Sequence, residues 1–444
     1  MAEQAAPPAG SERSALIRLL VGAAAVGIPV SLAAFAFLAL LHEITHLAWE
    51  GLPDQLGFDE APWWWPFPLL LVAGLLVGLA VRSLPGHGGH NPIDGLTITP
   101  VPMIDIPGVL LAALAGLSLG VVLGPEGPLI AIGSALALWV SRPWVSDPHS
   151  PARQVMAVAG ATAAISAIFG SPLLGPVFVL EAAGLAGPAL RRLTLPCLLS
   201  SGIGALVFTG LGNWTGLEIA SLSLPALAGP DRPDLPDLLW TVPLAIAVAL
   251  ATQGIRWIAR RASGWSHQRP MLGALGAALV VAACGAAYAL ITGHSPMDVA
   301  LSGQALLEPL ATSPESWSAW ALVVLLVAKG LAYAVSMGAL RGGPIFPAVA
   351  LGATAGVLVG ALPGFGTWPA MAVGMAAATA TILPMPVMAG VLTVLLLGPN
   401  GVALAPLVLL GVVVAFVTAR VIDERRSLPE ADVTPDGPPS AAAS

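Results

Sequence analysis

Charge is scarce in this sequence. Of its 444 residues, 9% are charged and 57% are hydrophobic, where a soluble globular domain carries roughly 25% charge. So little charge excludes a fully solvated surface. Cysteine is scarcer still: Cys197 and Cys284 both lie in apolar runs without metal-ligand spacing, and they read as two packed, reduced thiols. The segment 423–444, rich in Pro, Asp, Ser and Ala and poor in bulky apolar residues, is expected to be a disordered tail, with no soluble regulatory domain after the apolar region.

What the sequence has in abundance is apolar runs. Leu19 to Leu41 is uncharged, longer than the roughly 20 residues needed to cross a hydrocarbon core and longer than the apolar region of a cleaved signal peptide. Similar runs recur at about 66–81, 107–119, 127–141, 154–169, 172–190, 193–211, 238–255, 271–293, 317–340, 344–362, 367–383, 385–398 and 401–419. Several are shorter than a full crossing and begin or end in Gly and Pro. Such breaks are tolerated in a bilayer only where protein covers the freed backbone groups, so these runs predict tilted, broken or re-entrant helices.

Orientation follows from the arginines. Arg13 and Arg18 precede the first run, Arg256, Arg260 and Arg261 follow another, and Arg425 and Arg426 follow the last. By the positive-inside tendency these segments, and both termini, are expected to be cytoplasmic in a multi-pass protein of the cell membrane. Glu50, Asp54, Asp59 and Glu60, followed by Trp63, Trp64 and Trp65, predict an outer loop and an aromatic belt at headgroup level. Residues 1–13 then form a cytoplasmic segment and 14–422 the membrane domain.

The chain also aligns with itself. Gly124-Pro125-Glu126-Gly127-Pro128-Leu129-Ile130-Ala131-Ile132-Gly133 matches Gly343-Pro344-Ile345-Phe346-Pro347-Ala348-Val349-Ala350-Leu351-Gly352 at Gly, Pro, Pro, Ala and Gly, at a displacement of 219 residues. Gly160 to Pro172 maps on Gly374 to Pro386 at a displacement of 214. Two matches in one order predict a duplication with halves of approximately 14–211 and 238–422. In duplicated membrane proteins, Gly/Pro-interrupted segments at corresponding positions mark a substrate site near the midplane. A broken helix presents unpaired N–H groups and the positive end of its dipole, and both favour an anion. Glycine admits the ion to the backbone, and proline at a helix start gives up a donor that had no partner there.

At these residues the chain resembles the CLC family of chloride channels and chloride/proton antiporters. Gly124-Pro125-Glu126-Gly127-Pro128 is similar to that family's Gly-Arg/Lys-Glu-Gly-Pro motif, whose glutamate is the external gate. Gly343-Pro344-Ile345-Phe346-Pro347 is similar to its Gly-x-x-x-Pro selectivity motif. Gly86-His87-Gly88-Gly89-His90-Asn91-Pro92 stands where the family has Gly-Ser-Gly-Ile-Pro, and Ser171-Pro172-Leu173-Leu174-Gly175-Pro176 with Glu181 matches a fourth block. The resemblance spans about 19–421 and implies an all-α polytopic membrane protein, built as a CLC-like inverted repeat with its halves meeting at Glu126 and Phe346. It also implies a homodimer in the lipid bilayer carrying chloride and similar anions, with no cofactor, no metal and no nucleic-acid partner. Glu126 is expected to be the gate, and His87 or Gly88, Gly124, Gly127, Gly343, Ile345 and Phe346 the anion cradle. A carboxylate in an apolar stretch is costly and by default functional; protonation would release it from the anion's site.

The departures bear on coupling. The gate motif's arginine is Pro125, and Pro344 has no N–H to give. The family's internal proton-relaying glutamate falls on Ala182, one residue after Glu181, and its tyrosine ligand is missing, since the only two tyrosines are Tyr288 and Tyr333. A channel or uncoupled transporter is therefore expected, with a chloride/proton antiporter as the alternative and Glu181 as a proton relay, a helix cap or a salt-bridge partner. His42-Glu43-Ile44-Thr45-His46 is a literal His-Glu-x-x-His, the zinc-binding pattern of metalloproteases, and Asn91-Pro92-Ile93-Asp94-Gly95 resembles the third-ligand segment of intramembrane ones. A protease would leave the duplicated Gly/Pro breaks unexplained.

Overall fold

The computed structural model describes residues 9–145, 147, 150–183, 187–215, 224 and 233–427. The first half contains α1 (Ala9–His46), α2 (Leu52–Gln55), α3 (Pro66–Ser83), α4 (Ile106–Ser118), α5 (Glu126–Val140), α6 (Pro151–Phe169), α7 (Leu174–Ala183) and α8 (Gly187–Thr215). The second contains α9 (Leu235–Gln268), α10 (Pro270–Thr292), α11 (Gln304–Thr312), α12 (Ala319–Ala339), α13 (Ile345–Val359), α14 (Thr367–Ile382), α15 (Pro386–Leu396) and α16 (Gly401–Ser427). No strand occurs among the described residues; one isolated bridge pairs Gly124 with Gly343 in antiparallel sense.

Among the described residues, eight helical segments are long and apolar enough to cross a membrane, whereas the helices at 126–140, 345–359 and 386–396 are shorter. Those at 126–140 and 345–359 begin inside the protein, because Gly and Pro at their N-terminal ends stop the backbone ladder. α6 is the most enclosed of the long segments, 78% of its apolar window being buried, and its run of Ala and Gly lets neighbours approach closely.

Packing repeats in the two halves. α1 lies against α6 and α8 as α9 lies against α14 and α16, and α5 crosses α6 as α13 crosses α14. The crossings use the aligned glycines. A Cβ on Gly133 or Gly160 would collide with the carbonyl of the other, and a Cβ on Gly352 or Gly374 would do the same. The duplication seen in the sequence is thus a repeated backbone contact. α3 packs on α10 across the halves.

Two sequence readings change and one gains detail. Arg256, Arg260 and Arg261 lie in the same helix as the apolar run 238–255, since α9 runs on to Gln268, and Arg256 pairs with Asp423 of α16 at 3.2 Å. Helix α16 runs to Ser427, past the expected boundary at 423, and 428–444 lie outside the described residues. Trp65 is no headgroup anchor: it is 6% exposed, and its indole N–H donates to the Ala48 carbonyl at 2.9 Å in a small core with Trp49, Ala61 and Ala300. Trp63 and Trp64 remain exposed.

If these glycine crossings set the helix spacing, Gly160→Ala and Gly374→Ala should each lower stability by about 1–3 kcal/mol, the usual cost of overpacking. Gly254→Ala, where a Cβ would meet nothing within 4 Å, should leave it unchanged. Thermal unfolding in detergent compares the three.

Candidate functional site

The site is built where the two short helices α5 and α13 begin. Gly124 N–H donates to the Gly343 carbonyl at 2.7 Å, and Gly343 N–H donates to the Gly124 carbonyl at 2.5 Å. This reciprocal pair joins equivalent positions of the halves and sets both helix starts side by side. Neither start has a side-chain cap of its own. Instead, Glu126 at the first turn of α5 reaches across, and its Oε1 accepts from Phe346 N–H at 3.0 Å. The N–H groups of Ile345 and of Glu126 itself also face the carboxylate.

Glu126 is fully buried, and its Oε2 has no hydrogen-bond partner. A buried carboxylate held by one oxygen leaves much of its desolvation cost uncompensated. The glycines explain how it fits: a Cβ on Gly124 would meet the carboxylate atoms first, and one on Gly343 would strike Oε2 and crowd the Glu126 Cβ as well. Gly127 lies against the Gly342 carbonyl, 3.0 Å from where a Cβ would stand. Glu126, Gly124, Gly127, Gly343, Ile345 and Phe346 are therefore brought together. The Pro344 carbonyl accepts from the Tyr333 hydroxyl at 2.6 Å, and the Phe346 ring packs on Phe169 with centroids 5.3 Å apart.

Gly88 and His87 behave differently. The turn at 86–89 is left-handed throughout, with φ of 71°, 50°, 74° and 99°, a conformation easy for glycine and unusual for His87. His87 is exposed and its ring Nδ1–H donates to the Val81 carbonyl at 3.0 Å. Gly88, by contrast, lines a cavity of about 220 Å³ that also touches Gly86, Gly127, Pro128 and Gly342. The cavity reaches the residue after Glu126, and the histidine side chain does not border it.

Comparison with known proteins fits this geometry. The sequence profile of the voltage gated chloride channel family matches residues 70–420. The chain belongs to that family. It is 29% identical over 344 residues, covering 75% of this chain and 77% of the relative, to YfeO of Escherichia coli strain 55989, which carries the provisional name of an ion-transport protein. Among solved structures, a slow cyanobacterial Cl⁻/H⁺ antiporter superimposes with TM-score 0.72 at 17% identity, over 91% of this chain and 95% of that one. A CLC-type fluoride/proton antiporter does so with TM-score 0.68 at 15% identity, over 91% and 96%. The CLC fold, with its inverted repeat, is thus the fold of this chain, a multi-pass member of an anion-transport family of channels and transporters rather than enzymes.

The other CLC-like block holds Glu181 away from the gate residues: its Oε1 accepts from Val387 N–H at 2.9 Å and its Oε2 from Met388 N–H at 2.7 Å. It caps the start of α15, as Glu126 caps α13. The His-Glu-x-x-His residues lie at the exposed end of α1, where His46 pairs with Glu50 at 3.3 Å. Asn91 bonds Ser263 instead, through Nδ2 at 3.2 Å. No group of three or more His, Cys, Asp and Glu side chains could hold a metal ion among the described residues.

Sequence reading missed Lys329, the only lysine of the chain. It is fully buried, and its Nζ lies 3.0–3.3 Å from the carbonyls of Asp298, Val299, Ala300 and Leu301. Leu301 N–H in turn donates to the Gly120 carbonyl at 3.2 Å, so this ammonium steadies a turn that packs on the approach to the gate. A lone cation in the middle of an apolar run was the available signal; averaging hydropathy over the run hid it.

Because a Cβ at Gly124 would meet the carboxylate first, Gly124→Ala should expel the Glu126 side chain while the fold persists. Anion flux from liposomes is expected to lose most of its pH dependence, as in Glu126→Gln. Flux that keeps the unmutated pH profile would show that the carboxylate tolerates the methyl group.

Proposed function

We propose that the protein conducts chloride and similar small inorganic anions along a pathway gated by Glu126, with little or no obligatory proton countertransport. The observation that carries the gate is the bond from Phe346 N–H to the fully buried Glu126 carboxylate, whose Oε2 has no partner. The N–H groups at the starts of α5 and α13 stabilise whichever negative charge is present, carboxylate or anion. They repel cations, so chloride, bromide and nitrate should pass in preference to potassium. Protonation removes the charge that holds the side chain, frees the N–H groups, and opens the site. Flux should therefore rise as the solution facing Glu126 becomes more acidic.

The uncoupled reading rests on Ala182 at the position of the family's internal glutamate and on the capping bonds of Glu181. An antiporter is the second reading, supported by the likeness of the fold to two solved antiporters. Family resemblance supports a homodimer with one pathway per subunit, in the cell membrane with both termini cytoplasmic, and a division into halves of about 14–211 and 238–422.

Anion flux from liposomes, recorded together with internal pH, tests both parts. Glu126→Gln should flatten the pH dependence and keep the pathway open. An unchanged profile would remove the gate assignment. In the unmutated protein a chloride gradient should drive no uphill proton movement; proton movement abolished by Glu181→Gln would establish the antiporter and make Glu181 its relay.

A further inference from the structure

Helix α12 carries a buried polar face. Lys329, Tyr333 and Ser336 follow one another at spacings of four and three residues, which places them on the same side of the helix, and all three are fully buried. Lys329 holds the 298–301 turn. Ser336 Oγ accepts from Val122 N–H at 3.4 Å, in the segment that leads to Gly124. Between them the Tyr333 hydroxyl donates to the Pro344 carbonyl at 2.6 Å. A buried tyrosine needs a partner for its hydroxyl, and this one finds it at the edge of the anion cradle. Glu126 and Arg256 are the charged side chains within electrostatic reach of that hydroxyl, and its bond goes to neither.

The carbonyl of Pro344 and the N–H of Ile345 belong to one planar peptide unit, and in the trans form they point in opposite directions. Among the described residues no peptide bond is cis. Holding the oxygen therefore sets the direction of the N–H, and that N–H faces the Glu126 carboxylate. A donor on the oxygen also polarises the peptide and makes its N–H a stronger donor, as in other hydrogen-bonded chains. The first half treats the equivalent peptide differently. There the Pro125 carbonyl accepts from Leu129 N–H of its own helix α5 at 3.1 Å, and the N–H across that peptide is the one of Glu126, which faces the same carboxylate. Of two corresponding peptides, the one in the second half takes a side-chain donor from α12.

We infer that Tyr333 is a positioning residue for the anion cradle: through the Pro344–Ile345 peptide its hydroxyl aims and strengthens the Ile345 N–H, which receives either the Glu126 carboxylate or the permeant anion. This rests on the gated-transport reading above and adds to it a determinant of anion affinity that lies outside the resembling motifs. Tyr333 acts without touching the ion, because its hydroxyl proton is committed to a carbonyl. It is therefore no direct substitute for the tyrosine ligand that the sequence lacks.

Initial flux into liposomes against chloride concentration tests this in the Glu126→Gln background, where no carboxylate competes. Tyr333→Phe keeps the ring and removes only the hydroxyl; it should raise the half-saturating chloride concentration several-fold, with a smaller effect on maximal flux. A folding defect would act the other way, lowering maximal flux through fewer active proteins and leaving half-saturation alone. Tyr333→3-fluorotyrosine keeps ring and hydroxyl and makes the hydroxyl a stronger donor, so it should lower half-saturation. With Glu126 present, Tyr333→Phe loosens the carboxylate as well. Weaker donors favour its charged form less, so it takes up its proton at lower acidity and the rise of flux should move to higher pH. If Tyr333→Phe leaves half-saturation and the pH profile where they were, Tyr333 only fills space and the assignment falls, with the Glu126 gate untouched. Absence of saturable anion flux in both the unmutated protein and Glu126→Gln would overturn the transport reading and this inference with it.

Discussion

Two hydrogen bonds between Gly124 and Gly343 fix the geometry on which the rest of the site depends. Each residue donates to the other, so the two chain halves meet at equivalent points and their short helices start side by side. Glu126 can reach Phe346 N–H only because this pairing removes the space that would otherwise separate the helix starts. Gly124 and Gly343 have no side chain where the carboxylate lies. The energetic logic is that of a buried charge: one oxygen is paired, the other is not, so part of the carboxylate's desolvation cost stays uncompensated.

The same solution recurs where a helix begins inside the protein. Long helices in contact with the surface cap themselves, as α6 does through Ser150 Oγ accepting from Arg153 N–H at 3.3 Å and α12 through Ser318 Oγ accepting from Ala321 N–H at 3.1 Å. The starts of α13, which is buried, and of α15, where Val387 is exposed, are capped in trans, by Glu126 and Glu181. Orphan N–H groups at a helix start must be satisfied, and in a membrane interior water does not do so. A carboxylate from the opposite half supplies the acceptor at both starts. Glu181, with both oxygens bonded, reads as the fixed version of the arrangement; Glu126, with one, as the movable version.

Much of this was legible in the sequence because the constraint is on backbone approach, which glycine and proline record directly. The displacements of 219 and 214 residues set Gly133 on Gly352 and Gly160 on Gly374, and the crossings join the same four residues as Gly133 with Gly160 and Gly352 with Gly374. The starts of α5 and α13 follow from Gly-Pro alone, and Glu126 from its setting in an apolar run. What stayed hidden is set by side chains meeting at long range. The pairing of Arg256 was hidden because its partner Asp423 lies 167 residues away. Lys329 vanished in a hydropathy average, although four backbone carbonyls make its burial possible. His87 was a candidate for the cradle by type, but the left-handed turn points its ring at Val81 and leaves Gly88 at the cavity.

The central claim is that the Glu126 carboxylate and the permeant anion compete for the same N–H groups. Anomalous diffraction from crystals soaked in bromide at neutral pH tests it most directly. The account predicts no bromide at Phe346 N–H while the carboxylate is bonded there, and a bromide at hydrogen-bond distance from that N–H in Glu126→Gln. Bromide bound at Phe346 N–H with the unmutated carboxylate still in place, or absent from it in Glu126→Gln, would contradict the account.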